Sequence, residues 1–537
     1  MANSAATKAK KGLFDRFLAL VEKLGNMLPH PVTLFALFAL GTVLLSGVAG
    51  YFEWSVADPR PAGVKGRSAD GVIHAVSLVN EEGLRRIIEN LVKNFVEFAP
   101  LGTVLVALLG VSVAEHSGLL TAAIRSMVLG ASKHVVTFAL IFAGVMSNAA
   151  SEVGYVVIVP LGAAIFYSLG RHPLAGLAAA FAGVSGGYSA NLVLGTVDPL
   201  LAGITQEAAR MIDPTYEVHP AVNWYFMAGS TFVVTAIGTL VSSLIIEPRL
   251  PPYEASKGEP GIEKTATFSR LTPIEKQGLV WAGVTVALLT LLLVYLAGWS
   301  KPGPDHLPFY GSLRDPLTGD LLKSPLLRGV VALIFVYFLI PGIVYGYVVG
   351  TIRKSMDVIN GMSKTMGTLG LYIVLVFFAA QFVKYFEWTN LGAILAVSGA
   401  NGIRALNLDN PLVFLPFILI CCLVNLLMGS ASAKWAVMAP IFVPMLMLVG
   451  FSPEVIQCAF RIGDSVTNII TPMMSYFGII YAFACRYDQK LGMGTLISLM
   501  LPYSIAFTIG WTIFFYIWVF LLGIPVGPGA PTYLPIS

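Results

Sequence analysis

A chain of 537 residues that is 56% hydrophobic and only 12% charged lacks the polar surface of a water-soluble protein, since soluble domains carry roughly 25% charged residues. Its apolar residues fall in runs of about 18 to 25, the length that spans a hydrocarbon core. The composition therefore excludes a separate soluble domain and predicts one polytopic membrane domain. The net charge of +4 is informative only through where Lys and Arg stand, and no basic run forms a nucleic-acid patch.

The amino-terminal segment, 1–30, is polar and basic, with Lys8, Lys10, Lys11, Arg16 and Lys23. No small-residue cleavage site follows the first apolar segment, which at about 20 residues is too long for a signal-peptide core and reads as a retained helix. Crossing segments are predicted at approximately 31–51, 92–115, 174–198, 221–246, 278–298, 327–350, 366–386, 454–482 and 492–523. Two further apolar stretches, 134–170 and 411–448, are too long for one span and too short for two. Each is interrupted by small polar residues, Met146-Ser147-Asn148-Ala149-Ala150-Ser151-Glu152 in the first and Met428-Gly429-Ser430-Ala431-Ser432-Ala433-Lys434 in the second. Lipid cannot satisfy free backbone groups, so a break at depth must face protein or a water-filled cavity. Both stretches are read as re-entrant helical hairpins.

With that count the basic amino terminus is cytoplasmic, together with Arg249, Lys257, Lys264, Arg270 and Lys276, then Arg353, Lys354 and Lys364, then Arg486 and Lys490. The loop at 201–220 and the tail 524–537 fall outside and hold only Arg210 between them. The four cysteines, Cys421, Cys422, Cys458 and Cys485, lie in apolar stretches and read as packing residues.

The chain divides into a first span with its external loop (31–89), a first repeat (90–246), connecting spans (247–359) and a second repeat (360–523). In each repeat a span ends at a glutamate, Glu115 or Glu387, followed by an amphipathic stretch, a hairpin and a second polar break. That break reads Gly187-Tyr188-Ser189-Ala190-Asn191 in the first repeat and Gly463-Asp464-Ser465-Val466-Thr467-Asn468 in the second. An odd number of crossings separates the copies, so they are expected to be inverted, with broken helices meeting at the midplane as in many secondary transporters.

Free helix ends at such breaks attract anions through N–H groups and cations through carbonyls. Ser147, Asn148, Asn191, Asn425 and Asn468 add neutral oxygens suited to a hard monovalent ion, and sodium is a candidate at Asn148, Asn191, Asn425 and Asn468. Arg461 and Asp464 lie three apart on one helix face. Arg461 can grip a substrate carboxylate with Asp464 holding it or joining an ion site, or the two can form a closed structural pair. Asp198 is a candidate proton carrier, because removal from water favours the neutral carboxyl, or it caps the segment that follows. Trp435 offers a stacking surface for an aromatic substrate or an anchor at the membrane interface. Lys434 and Glu152 follow the tips and can snorkel or pair. Pro453 and Pro472 mark helix ends or unwound helix.

The segments Gly195-Thr196-Val197-Asp198-Pro199-Leu200-Leu201-Ala202-Gly203-Ile204-Thr205, Gly429-Ser430-Ala431-Ser432-Ala433-Lys434-Trp435 and Arg461-Ile462-Gly463-Asp464-Ser465 resemble segments of the AbgT family of bacterial transporters, and the resemblance runs from Pro29 to about Tyr516. It implies an inner-membrane homodimer whose protomers have nine spans and two re-entrant hairpins. It also implies transport of p-aminobenzoyl-glutamate, a folate catabolite, or export of sulfonamide antimetabolites, without a cofactor and with Na+ or H+ as the coupling ion. By motif, Asp198, Ser432, Trp435, Pro453, Arg461, Asp464 and Pro472 resemble the family's substrate-site residues, and Asn425 and Asn468 its polar ion-site candidates. The architecture is also similar to that of sodium–dicarboxylate symporters, whose tips read Ser-Asn-Thr; here the first tip departs from this as Ser147-Asn148-Ala149. No His-Glu-x-x-His pattern or P-loop suggests an enzyme.

Overall fold

Long apolar runs leave the backbone no hydrogen-bond partner but itself, and the chain is accordingly helical almost throughout. The computed structural model describes residues 29–534 apart from 61–66, 68–69, 130–131, 133–134, 151–152, 260–270, 300–306 and 322–323. The basic amino-terminal residues, Glu152, Lys264 and Arg270 lie outside the described residues.

The chain opens with α1 (Pro31–Tyr51) and a short antiparallel ribbon, β1 (Ser55–Ala57) and β2 (Val72–His74), with Val56 opposite Ile73. Amphipathic α2 (Glu81–Val96) leads into α3 (Ala99–Ser117), which Gly118 ends in a left-handed conformation before α4 (Leu119–Leu129). Next come α5 (Val136–Met146) and α6 (Val153–Ser168), the arms of the first hairpin, with a 3-10 turn, Ser147–Ala150, at the tip. The buried helix α7 (Pro173–Phe181) loosens into a π-helical turn, Ala182–Gly186, and the backbone then stays non-helical up to α8 (Val197–Ala209). After α9 (Trp224–Val241), α10 (Pro273–Ala297) starts at a capping box in which Thr272 and Glu275 satisfy each other's backbone N–H. Helices α11 (Val330–Val349), α12 (Ser355–Thr368), α13 (Gly370–Trp388) and α14 (Leu391–Ala405) follow.

The second hairpin consists of α15 (Phe414–Leu427) and α16 (Ala431–Val449). Helix α17 (Pro453–Val466) is buried along its whole length. Its start is set by Ser452, whose hydroxyl accepts from the Val455 N–H, and by Pro453 at the first turn. A break separates it from α18 (Phe477–Cys485), and α19 (Met493–Phe515) follows.

Among the described residues eight helical segments are long and apolar enough to cross a membrane. Seven of the nine expected crossings are of this kind; the eighth is α16, the second arm of the second hairpin. The expected crossings at 174–198 and 454–482 are not continuous helices. Each is a buried helix, a polar break and a second short helix, because Ser, Thr and Asn in the breaks, with Pro472 in the second, favour bonds to neighbouring chain over helix continuation.

The two buried helices, α7 and α17, are gripped by the hairpin arms through glycines. A Cβ on Gly183 would lie 2.5 Å from the Ile141 carbonyl oxygen in α5, and one on Gly463 would lie 2.7 Å from that of Ile418 in α15. Such close backbone approach is the use of small residues in membrane helix packing. Helix α10, by contrast, buries only Gly278 and Ala282. Many of its other side chains are apolar and exposed, as on a helix whose outer face meets lipid.

Candidate functional site

Both hairpin tips are tied by an asparagine amide to the end of the buried segment that follows them. The Asn148 amide donates to the Gly187 carbonyl at 3.4 Å, and the Asn425 amide donates to the Asp464 carbonyl at 2.7 Å; each bond spans 39 residues. The two bonds are offset from each other by 277 residues, and the same offset relates Asn191 to Asn468. The tips differ in what surrounds the amide oxygen. Asn148 Oδ1 is buried and has no hydrogen-bond partner among the described residues, whereas Asn425 Oδ1 accepts from the Lys434 ammonium. Asn425 Nδ2 also faces Thr467 Oγ1 at 2.8 Å and Asn468 Oδ1 at 3.0 Å.

Four buried charges form two pairs. Arg461 Nη1 donates to Asp198 Oδ1 at 2.7 Å, and Nη2 donates to the Ser189 carbonyl at 3.0 Å. Asp198 Oδ2 accepts from the Gly195 N–H at 2.7 Å, so the carboxylate also orders the turn before α8. Lys434 Nζ lies 2.5 Å from Asp464 Oδ1, with side-chain exposures of 1% and 0%. The expected contact between Arg461 and Asp464 is therefore replaced by two pairs to other elements. An i,i+3 spacing permits contact without requiring it, and Asp198 and Lys434 neutralise each charge from outside the helix.

Trp435 is fully buried. Its ring stacks on Phe460 at 4.2 Å between centroids, and its Nε1–H donates to Thr205 Oγ1 at 2.8 Å. It stands inside the protein, not at a membrane interface. Thr205 lies 2.6 Å from Gln457 Oε1, and Gln457 Nε2 donates to Asn223 Oδ1 at 2.7 Å. This polar strut joins the second hairpin to α8, α17 and the start of α9.

A cavity of about 250 Å³ opens between the halves. Ser430 and Ser432 of the second tip line it with Thr196, Asn468 and four tyrosines, Tyr155, Tyr188, Tyr372 and Tyr476. The rings of Tyr155 and Tyr476 stack 4.7 Å apart at 5°. Thus Ser432 and Asn468 reach the cavity, Asp198 adjoins it through Thr196 and Val197, and Arg461, Asp464 and Trp435 stand behind its wall. Pro453 is buried at the start of α17, and Pro472 is half-buried in the break after it. The tyrosines were not singled out from sequence; the available signal was aromatic residues with polar tips inside or beside the broken segments, at Tyr155, Tyr188 and Tyr476.

The four sodium candidates do not behave alike. In the first half Asn148 Oδ1 is an orphaned buried acceptor, as a cation ligand would be, and Ser147 is buried beside it. Asn191 Oδ1 lies 3.5 Å from the Val193 N–H. In the second half the Asn425 oxygen already holds an ammonium, and Asn468 accepts from Asn425 and donates to the Ser185 carbonyl at 3.4 Å.

Comparison with known proteins agrees with this architecture. Residues 16–534 match the model of the AbgT putative transporter family. The chain is 36% identical over 510 residues, 95% of both chains, to the p-aminobenzoyl-glutamate transport protein of Escherichia coli K12. Its fold is similar to that of Neisseria gonorrhoeae MtrF, described as illuminating a class of antimetabolite efflux pumps (TM-score 0.89, 56% identity, 96% of this chain and 100% of that one). It is also similar to the Alcanivorax borkumensis YdaH transporter, described as having an unusual topology (TM-score 0.83, 43% identity, 93% and 100%). The broken helices, the paired tips and these likenesses together place the chain in the AbgT family of membrane transporters, and it is not an enzyme.

Proposed function

We propose that the protein is an ion-coupled secondary transporter that moves p-aminobenzoyl-glutamate across the bacterial inner membrane by alternating access. The observation that carries this reading is the Arg461–Asp198 pair beside a tyrosine-lined cavity. A substrate carboxylate that takes the guanidinium from Asp198 leaves that carboxylate uncompensated and able to accept a proton. Substrate and ion binding are thereby linked at one side chain. The tyrosines supply stacking for the aminobenzoyl ring. A coupling Na+ fits the orphaned Asn148 oxygen of the first tip; a coupling H+ fits Asp198. The two equivalent tip-to-break bonds support an inverted repeat, with both hairpins re-entering and nine crossings, the two broken segments each counting as one. The basic loops support a cytoplasmic amino terminus, and the family resemblance supports a homodimer.

A second reading is export of sulfonamide-like antimetabolites on the same scaffold, favoured by the higher identity to the efflux-pump relative. Flux of labelled p-aminobenzoyl-glutamate into proteoliposomes, under separate Na+ and H+ gradients, tests both readings. Accumulation under one gradient, lost in Arg461→Ala, supports import. Absence of flux under either gradient, with labelled sulfonamide moved instead, gives the second reading.

A further inference from the structure

The second tip holds a cation of its own. Lys434 stands in the first turn of α16, where the positive end of the helix disfavours an ammonium. It is nevertheless directed onto Asn425 Oδ1 and Asp464 Oδ1 and sealed from solvent. Apart from the Lys434 ammonium, no donor among the described residues reaches either Asp464 carboxylate oxygen, and Lys434 is the cation in ion-pair range of it. The offset that relates Asn148 to Asn425 places Gly187 opposite Asp464 and Val157 opposite Lys434. Among the described residues the first tip thus has a bare amide oxygen and no ion pair, while the second has the equivalent oxygen, an acid and an ammonium.

We infer that Lys434 is a tethered cation that permanently fills the position a mobile alkali ion would take between Asn425 and Asp464. The second half then needs no ion from solution, and any mobile coupling cation binds elsewhere. The inference rests on the reading of the tips as ion-binding breaks, but its test does not depend on a substrate or on transport.

The test is thermal unfolding of the purified full-length protein in NaCl, LiCl and choline chloride at matched ionic strength. Removal of the ammonium by Lys434→Ala leaves Asp464 facing the Asn425 oxygen, a site of oxygen ligands for Na+ or Li+. The expected result is a Tm that rises with NaCl or LiCl over choline chloride in Lys434→Ala by several degrees more than in the wild type. The extra rise should vanish in Lys434→Ala/Asp464→Asn. Equal salt responses in wild type and Lys434→Ala overturn the inference. So does a Lys434→Ala protein that fails to fold in every salt while the double variant folds, since the exposed carboxylate would then have recruited no ion. If transport proves not to involve p-aminobenzoyl-glutamate, these outcomes are unaffected.

Discussion

Asn148 and Asn425 make the same bond to a carbonyl 39 residues further on, yet one amide oxygen is bare and the other holds an ammonium. Among the described residues the first tip is under-satisfied and holds no ion pair; the second is charged and tied to Lys434, Asp464, Thr467 and Asn468. An under-satisfied buried acceptor costs free energy until a ligand reaches it. A closed ion pair keeps its geometry and is expensive to open. On the proposed reading the two tips serve different ends, the first exchanging an ion and the second keeping its geometry through the cycle.

The sharpest way to break that contrast is through the pair that joins the halves. Arg461→Ala should lower transport by roughly 100-fold or more, the equivalent of about 3 kcal/mol of lost charge pairing. It should also destabilise the fold by stranding Asp198. Arg461→Ala/Asp198→Ala should recover the thermal stability but not the flux. Wild-type flux in either variant would remove Arg461 from substrate recognition.

The tips themselves come next. Asn425→Ala should cost about 2–4 kcal/mol, because it strips partners from a buried charge network, whereas Asn148→Ala should cost about 1 kcal/mol or less. Thermal unfolding of the two variants measures the difference; equal losses would show that the tips are energetically alike. A smaller effect is expected in the cavity wall, where Tyr476→Ala removes the stack on Tyr155 and should raise KM for an aromatic substrate roughly 3- to 10-fold with little change in kcat.

The smallest effect lies away from both tips and serves as a control. Burial pushes the His219 imidazole below its usual range, although its bond to the Pro528 carbonyl works against this. Its Nδ1 is buried without a partner, so a proton added there finds no acceptor. The unfolded chain, with an ordinary His pKa of about 6.5, binds the proton more readily, so stability should fall as pH drops below that value. His219→Gln should flatten that decline, by about 1 kcal/mol or less, without touching transport.

Much of this molecule is legible in its sequence because lipid enforces simple rules. Apolar run lengths fix the long helices, and the small polar clusters at Ser147-Asn148 and Ser430-Ser432 mark where helices stop. The first break was visible at Gly187 to Asn191 as Gly, Ser and Asn in an otherwise apolar span; the second, expected at Gly463 to Asn468, begins only at Thr467, because Gly463 to Val466 complete α17. What stayed hidden was partner choice. Arg461 is three residues from Asp464, a spacing that invites pairing, but the fold brings Asp198 and Lys434 from other elements to neutralise them. The stacking of Trp435 on Phe460 and the tyrosine lining of the cavity likewise depend on how segments far apart in sequence pack. Periodicity does not encode such contacts.

The two buried ion pairs have an electrical consequence. Arg461 with Asp198, and Lys434 with Asp464, each sum to zero. A charge carried across the whole membrane field exchanges about 2.3 kcal/mol per 100 mV, but a displacement of these elements with their pairs intact moves no net fixed charge. Carried as intact units, these two pairs would therefore add nothing to the charge that the transport cycle moves through the membrane field.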